Sequence, residues 1–163
     1  RRYGTMDEKT LHDILWDNEE EELLEFYDNY KEQIDLFEKA LRAGTLSEKT
    51  IQKHVSNVDF YLHDFGVGSA EIPELKDGCY RTNHYFGNWY IDKCAFASVT
   101  DCKNQIASIK KFYKCMCSHG LVAKEDYQFL LDEIKENQTE WIETIERYKE
   151  WLWGDSDDDF DWF

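Results

Sequence analysis

The stretch from Glu19 to Arg42 reads EEEELLEFYDNYKEQIDLFEKALR, and its apolar residues recur at the alternating three- and four-residue spacing of a helix. The residues that share this face are Leu23, Tyr27, Tyr30, Ile34, Phe37 and Leu41. The acidic run 19–22 lies at the positive end of the helix dipole, and Gly44 follows as a stop signal. The pattern predicts one amphipathic helix over residues 19–42.

Start and stop signals place further helices on both sides of this one. Residues 7–16 show a short apolar spacing that is typical of a helix. Ser47 is a typical N-cap for a helix that ends near the Phe65–Gly68 turn. The stretch 66–78 holds three glycines and the only proline, which predicts the longest loop of the chain.

The second half of the chain continues the helical pattern. Residues 82–95 are dense in aromatic side chains and give a weaker helix signal. Ser98 and Asp101 resemble a capping box before a helix that ends at His119–Gly120. Residues 124–153 predict a long helix, which the polar residues 137–140 could divide in two.

Composition supports an all-α fold, a helical bundle in a single domain. The chain has 163 residues, 42% of them apolar and 16% aromatic, and only one proline and eight glycines. The predicted domain covers residues 1–153, and residues 154–163 form an acidic-aromatic tail that we expect to be mobile. Within the domain, acidic helices over 7–43 precede a core at 45–135 and a C-terminal helix at 136–153.

Charge is distributed unevenly within a total of −16. Residues 1–44 carry 6 basic and 13 acidic side chains, residues 45–120 carry 9 and 8, and residues 121–163 carry 4 and 14. We expect the acidic flanks to meet a basic partner surface. The chain has five cysteines, an odd number, and we recognise no signal peptide. No apolar run approaches the roughly 20 residues of a membrane span. These observations predict a cytoplasmic protein without membrane contact.

Motifs for the common catalytic and cofactor chemistries are missing. The sequence has no glycine-rich dinucleotide or phosphate loop, no His-Glu-x-x-His, no Glu-x-x-His and no Gly-x-Ser-x-Gly. We therefore expect that the protein is not an enzyme and binds no cofactor. The alternative is an enzyme with an unfamiliar site, for which the aromatic cluster around His84–Tyr85 and Trp89–Tyr90 is the candidate position.

The candidate metal ligands are Cys115, Cys117 and His119, with Cys94 or Cys102. On a helix, the side chains of Cys115 and Cys117 point about 160° apart, so they cannot both bind one ion. We therefore expect structural cysteines and no metal.

Two groups of side chains are candidates for binding a partner. Basic residues on two amphipathic helices could contact phosphates, and they are Lys49, Lys53, His54, Lys103, Lys110, Lys111 and Lys114. Ordinary solvated lysines are the alternative interpretation. The tail could dock into a basic, apolar pocket of a partner protein through Asp157, Asp158, Asp159, Phe160, Trp162 and Phe163, or it could serve only solubility. It resembles the acidic, Phe-terminated tails of bacterial single-strand-binding proteins.

Two motifs resemble the N-terminal, SAM-like core-binding domain of tyrosine recombinases and phage integrases. They are TLSEKTI at 45–51, leading into VDFYLHDF at 58–65, and IASIKKFY at 106–113 with Gly120. The resemblance covers about residues 45–135 and implies a helical bundle that clamps DNA through Lys49, Lys53, Lys110, Lys111 and Lys114. The catalytic domain of that family has no counterpart here, and the net charge is acidic where such modules are basic. The expected function is a non-catalytic binding or regulatory module; the alternative is an acidic protein-binding factor or nucleic-acid mimic that occupies a basic cleft.

Overall fold

A computed structural model describes residues 28–94 and 97–153, the side chains as far as Trp151. Within these ranges the chain is helical with connecting turns and contains no strand, which confirms the all-α fold. The α-helices are α1 (Lys31–Arg42), α2 (Glu48–Asp59), α3 (Thr82–His84), α4 (Tyr90–Lys93), α5 (Val99–Ser118) and α6 (Lys124–Trp153). Two π-helices, Phe60–Val67 and Tyr85–Trp89, and a 3-10 helix, Leu75–Tyr80, join them. No helix in the described ranges has the length and apolar character needed to cross a membrane.

The predicted helix over 19–42 is wrong at one point in the described part of the chain. Tyr30 adopts a left-handed backbone conformation with φ of 62°, so α1 begins only at Lys31. The Tyr30 hydroxyl donates a hydrogen bond of 2.7 Å to the carbonyl of Ile72, which holds this turn against the loop. Ile34 and Phe37 are buried as the spacing predicts. Residues 7–16 and 19–27 lie outside the described residues.

A buried histidine also holds the turn before α1. His63 is only 2% exposed, with Nδ1 2.6 Å from a carboxylate oxygen of Asp59 and Nε2 2.5 Å from the carbonyl oxygen of Asn29. Both partners can accept hydrogen bonds, so this geometry favours the imidazolium form, in which both ring nitrogens donate. Burial opposes this charge, but the bonds to Asp59 and Asn29 outweigh it and hold the pKa of His63 above its usual value.

The helix after Ser47 begins as predicted and then widens. Ser47 Oγ accepts a hydrogen bond of 3.2 Å from the backbone N–H of Thr50, which confirms the N-cap. The α-helix passes at Phe60 into a π-helix, and the carbonyl of Gly66 accepts from the N–H groups of both residue 71 and Ile72. A Cβ at Gly66 would lie 3.0 Å from the Cβ of Ile72, so the missing side chain lets the loop close onto the helix.

Aromatic rings from the two π-helices form the centre of the core. The ring of Tyr85 lies 4.9 Å from that of Tyr61 and 5.0 Å from that of Phe65, centroid to centroid, in edge-to-face geometry. Phe86 packs against Trp141 of α6 at 5.0 Å. Residues 82–93 of the aromatic stretch are therefore helical as expected, in two short α-helices joined by a π-helix.

Two tyrosines hold the 3-10 helix against the bundle. Tyr61 donates a hydrogen bond of 2.7 Å to the carbonyl of Gly78, and Tyr113 of α5 donates one of 2.8 Å to the carbonyl of Leu75. Burial raises the pKa of both phenols far above the ordinary value, so both remain donors. A Cβ on Gly78 would lie 1.7 Å from the Tyr113 hydroxyl, so only glycine allows this approach.

The ends of α5 follow the sequence signals closely. Ser98 Oγ accepts from the N–H of Asp101 at 3.0 Å, and Gly120 takes the left-handed conformation, φ 72°, just beyond the last turn. The reciprocal half of the predicted capping box is absent, because the N–H of Ser98 donates to the hydroxyl of Tyr90 and the Asp101 carboxylate accepts from that same hydroxyl.

The long helix α6 runs without a break through residues 137–140. The Asn137 amide donates to the carbonyl of Glu133 one turn earlier, so the polar stretch bonds back along the helix. Trp141 lies on the buried side and donates from Nε1 to the side chain of Asn83 at 2.9 Å. The predicted boundary between residues 135 and 136 therefore falls inside one continuous helix.

Replacing Gly78 by Ala should destabilise the protein by about 3 kcal/mol, since the new methyl group overlaps the Tyr113 hydroxyl and displaces its hydrogen bond. Urea unfolding of the purified protein measures the change. Gly44→Ala is the matched control, because a Cβ at Gly44 would meet its nearest atom, a carbonyl oxygen, at 3.5 Å. Equal midpoints for the two variants would contradict this account of the turn.

Candidate functional site

A buried polar network joins α2 to α5. Ser108 of α5 is fully buried, and its hydroxyl donates a hydrogen bond of 3.0 Å to the carbonyl of Asn104 in its own helix. From α2, the amide of Asn57 donates to Ser108 Oγ at 3.0 Å, and Nδ1 of His54 lies 2.8 Å from the same oxygen. The two helices are thus joined side by side through one hydroxyl group.

The protonation of His54 follows from this network. Ser108 donates its single hydroxyl proton to the carbonyl of Asn104. Ser108 Oγ therefore accepts the hydrogen bonds from Asn57 and His54, and His54 carries its proton on Nδ1. Partial burial and the positive charge of Lys111 lower the pKa of His54 below its usual value. His54 is therefore neutral at pH 7, with the lone pair on Nε2.

A groove of about 320 Å³ lies over this network. From α2 it is lined by Lys49, Thr50, Lys53, His54 and Asn57, and from α5 by Asn104, Ala107 and Ser108. Ala107 lies one helical turn from Lys103, Lys110 and Lys111 and two turns from Lys114. We name the six exposed lysines of α2 and α5 the lysine ridge; its members are Lys49 and Lys53, which line the groove, and Lys103, Lys110, Lys111 and Lys114.

The positive charge of the lysine ridge is not neutralised by any ion pair within the described residues. None of its six side chains forms an ion pair with another residue of the described ranges. Glu48, the carboxylate next to Lys49 in sequence, is bound instead by Arg42, at 2.5 Å and 2.9 Å. Hydrogen bonds from Arg42 lower the pKa of Glu48 to about 2, so this carboxylate stays charged and engaged elsewhere.

The structure places the predicted basic residues on two neighbouring helices. Lys103, Lys110 and Lys114 lie on one exposed side of α5, and Lys111 lies toward α1, where it lines a smaller cavity of about 290 Å³ with Lys114. Sequence reasoning missed Asn57 and Ser108, which fix the floor of the groove. A serine on the buried stripe beside Ile109 was the available signal, since a buried hydroxyl needs a partner. The tail residues 157–163 lie outside the described residues.

The cysteine candidates do not form a metal site in the described part of the chain. No group of three His, Cys, Asp or Glu side chains is arranged there to hold an ion. Cys115 Sγ lies 3.7 Å from Nδ1 of His119, but that nitrogen donates to the carbonyl of Cys115 at 2.8 Å. In the aromatic cluster, Tyr85 and Tyr90 are fully buried and are packing residues, whereas Trp89 is partly exposed.

Comparison with known proteins gives no family. No family model, no curated protein and no solved structure matches the chain. The resemblance of residues 45–135 to the recombinase core-binding domain stays a prediction. Function has to be inferred from the groove and the charges on either side of it.

Replacing Lys111 by Gln should raise the pKa of His54, because one of the two causes that hold it down is removed. An NMR titration of the histidine ring protons measures this value directly. Lys103→Gln is the matched control, since it removes the same charge from another position of α5 and should leave the His54 pKa unchanged. An identical shift in both variants would show that the effect is not local to Lys111.

Proposed function

We propose that this protein is a non-catalytic binding module that contacts the phosphate backbone of a nucleic acid through the lysine ridge. The observation that carries the proposal is the clustering of six exposed lysines on two packed helices of a chain whose net charge is −16, none of them in an ion pair within the described residues. A phosphate backbone supplies the negative charge that such a cluster attracts.

The distribution of the lysines suits a phosphate chain. Lys49 and Lys53 are one turn apart on α2, about 6 Å along the axis, and Lys103 to Lys114 span about 16 Å on α5. Successive phosphates could therefore meet cations on both helices. All six ridge lysines lie on α5 or in the first half of α2. Five of them are the positions at which the recombinase resemblance implies phosphate contact, namely Lys49, Lys53, Lys110, Lys111 and Lys114.

The acidic remainder of the chain limits this binding without preventing it. Interactions between exposed charges fade beyond about 8 Å at physiological salt, so local lysines dominate close contact while the net charge slows long-range approach. We expect modest affinity that depends steeply on salt. The five cysteines are free thiols, which supports a reducing compartment such as the cytoplasm.

The triple variant Lys110→Gln, Lys111→Gln and Lys114→Gln should weaken binding to duplex DNA and reduce the slope of log K against log salt by about 3. Fluorescence anisotropy of a labelled duplex across a salt series measures both quantities. The three lysines are exposed, so the fold should be unaffected.

The matched control carries Lys93→Gln, Lys124→Gln and Lys135→Gln, which changes the net charge equally at exposed positions outside the lysine ridge. It should keep most of the wild-type affinity. If both triple variants lose the same affinity, only total charge matters and the ridge is not the contact surface. No binding by the wild type at low salt would end the proposal.

A second candidate function is the binding of a basic protein by an acidic face. The rings of Tyr80 and Phe129 lie 4.5 Å apart at the surface, and the Tyr80 hydroxyl donates to the carboxylate of Asp126. Phe129 is 43% exposed, and no carboxylate of α6 forms an ion pair with a described basic residue. An exposed aromatic pair beside carboxylates suits an arginine side chain.

Phe129→Ser should then weaken the binding of a labelled arginine-rich peptide about two- to fivefold in an anisotropy titration, because about 0.5–1 kcal/mol of cation–π attraction is lost at an exposed site. Leu46→Ser is the control, since Leu46 is similarly exposed, at 38%, without acidic neighbours on α6. Equal affinity of both variants for the peptide would exclude the aromatic pair as its docking site.

A further inference from the structure

The groove between α2 and α5 contains one titratable hydrogen-bond acceptor. The residues that line it include the cations Lys49 and Lys53 and the imidazole of His54, and no carboxylate is among them. His54 is partly exposed, and its Nδ1 donates to the buried hydroxyl of Ser108 at the floor of the groove. The two nitrogens of an imidazole point in nearly opposite directions, so Nε2 faces away from the floor with its lone pair.

Nε2 of His54 is available to a ligand. Within the described residues no hydrogen bond reaches this nitrogen, since the one bond of the ring is made by Nδ1. Lys49 and Lys53 present ammonium groups to the same space. Thr50 Oγ1 accepts a hydrogen bond of 3.0 Å from the hydroxyl of Ser47, so the hydroxyl proton of Thr50 is available to donate. A ligand in the groove therefore meets several donors and one nitrogen lone pair.

The groups around His54 oppose its protonation while the groove is empty. Partial burial is the larger cause and the positive charge of Lys111 on α5 the smaller one, and together they lower the pKa of His54. Lys49 and Lys53 of α2 add positive charge in the same groove. From α1, which also packs against α2, no charged side chain lines the groove. A bound anion reverses this balance, because it favours the imidazolium.

These groups distinguish two kinds of phosphate. A phosphodiester inside a nucleic-acid chain is a weak base without a proton to donate, so its oxygens face the Nε2 lone pair unfavourably. A terminal phosphate monoester carries up to two charges, and its second proton has a pKa of about 6. Such a proton lies between a phosphate oxygen and Nε2 and satisfies both atoms, whichever of them carries it.

We propose that the groove binds the terminal phosphate of a nucleic-acid strand, with Lys49 and Lys53 on its oxygens and one proton shared with Nε2 of His54. The inference rests on the proposed function and adds a preference for strand ends to the phosphate contacts along the lysine ridge. At pH 7 the free imidazole is neutral and the free terminal phosphate is mostly a dianion. Binding therefore takes one proton from the solvent.

The first test follows this proton on the unmodified protein. Anisotropy is measured from about pH 6.5 to about pH 8.5 with two labelled DNA hairpins that differ only in a terminal phosphate or a terminal hydroxyl. The phosphate-ended hairpin should bind more tightly at the lower pH, and the ratio of the two association constants should fall by up to about tenfold per pH unit. Plain attraction by lysines gives the opposite sign, because the terminal phosphate gains its second charge as the pH rises. A ratio that stays constant or rises with pH would overturn the inference.

The second test assigns the proton to His54. In His54→Gln the ratio of the two association constants should no longer fall with pH, because the titratable nitrogen is gone. His84→Gln is the matched control at an exposed histidine outside the groove, and it should keep the fall. Circular dichroism and the unfolding midpoint establish that both variants are folded. A fall that persists in folded His54→Gln would place the proton on another group and contradict the assignment.

An NMR titration of the wild type gives the same assignment without a substitution. The pKa of His54 should rise when the phosphate-ended hairpin is added and should change less with the hydroxyl-ended one. Equal changes with both hairpins would show that the groove does not distinguish a strand end.

The outcomes separate this inference from the function on which it rests. If both hairpins bind equally at every pH and the Lys110, Lys111 and Lys114 variant loses affinity, the ridge contact stands and the end site is wrong. If neither hairpin binds at low salt, the proposed function fails and the inference fails with it. A phosphoserine peptide that binds more tightly than the phosphate-ended hairpin, with the same fall with pH, would assign the groove to a phosphorylated protein and overturn the choice of nucleic acid.

Discussion

Burying a hydroxyl group is unfavourable unless it donates a hydrogen bond to an acceptor. Two of the buried tyrosines donate theirs to one short turn of backbone. Tyr61 and Tyr113 come from different sides of the bundle and bind carbonyls of the same 3-10 helix. The turn therefore holds α5 at a fixed distance from the π-helix that continues α2. Further along the two helices, Ser108 repeats this arrangement with partners from α2. Together these bonds join α5 to α2 and to the π-helix that continues it.

The exposed charges of the lysine ridge and the packing contacts between α2 and α5 belong to different side chains. The lysines of the ridge are exposed, while the contacts between α2 and α5 are made by Asn57, Ser108 and the apolar residues beneath them. The buried His63 is engaged with Asp59 and the turn before α1, and not with a ridge lysine. The anion contact proposed for the ridge and the stability of the bundle thus depend on different side chains.

Much of the fold could be predicted from the sequence, because helix ends depend on local chemistry. Ser47 and Gly120 mark helix boundaries through bonds and dihedral angles within a few residues. Tyr30 was not predictable in this way, since its left-handed turn is held by a carbonyl 42 residues away. The π-helices are only eight and five residues long, too short for their i→i+5 period to be distinguished from the pattern of the neighbouring α-helices. The basic residues can be listed from the sequence, but which of them lie at the groove (Lys49, Lys53 and His54) depends on α2 and α5 packing together, as at Ser108.

Exposed lysines that take no part in packing are free to vary during evolution. In the proposed function, a substitution in the ridge changes the attraction for the nucleic acid without costing the bundle stability, so affinity is adjusted in small, nearly independent steps. Asn57 and Ser108 have no such freedom, because they also hydrogen-bond each other across the two helices. Among descendants of this chain, the charge of the ridge would diverge quickly while the shape of the groove would be inherited nearly unchanged.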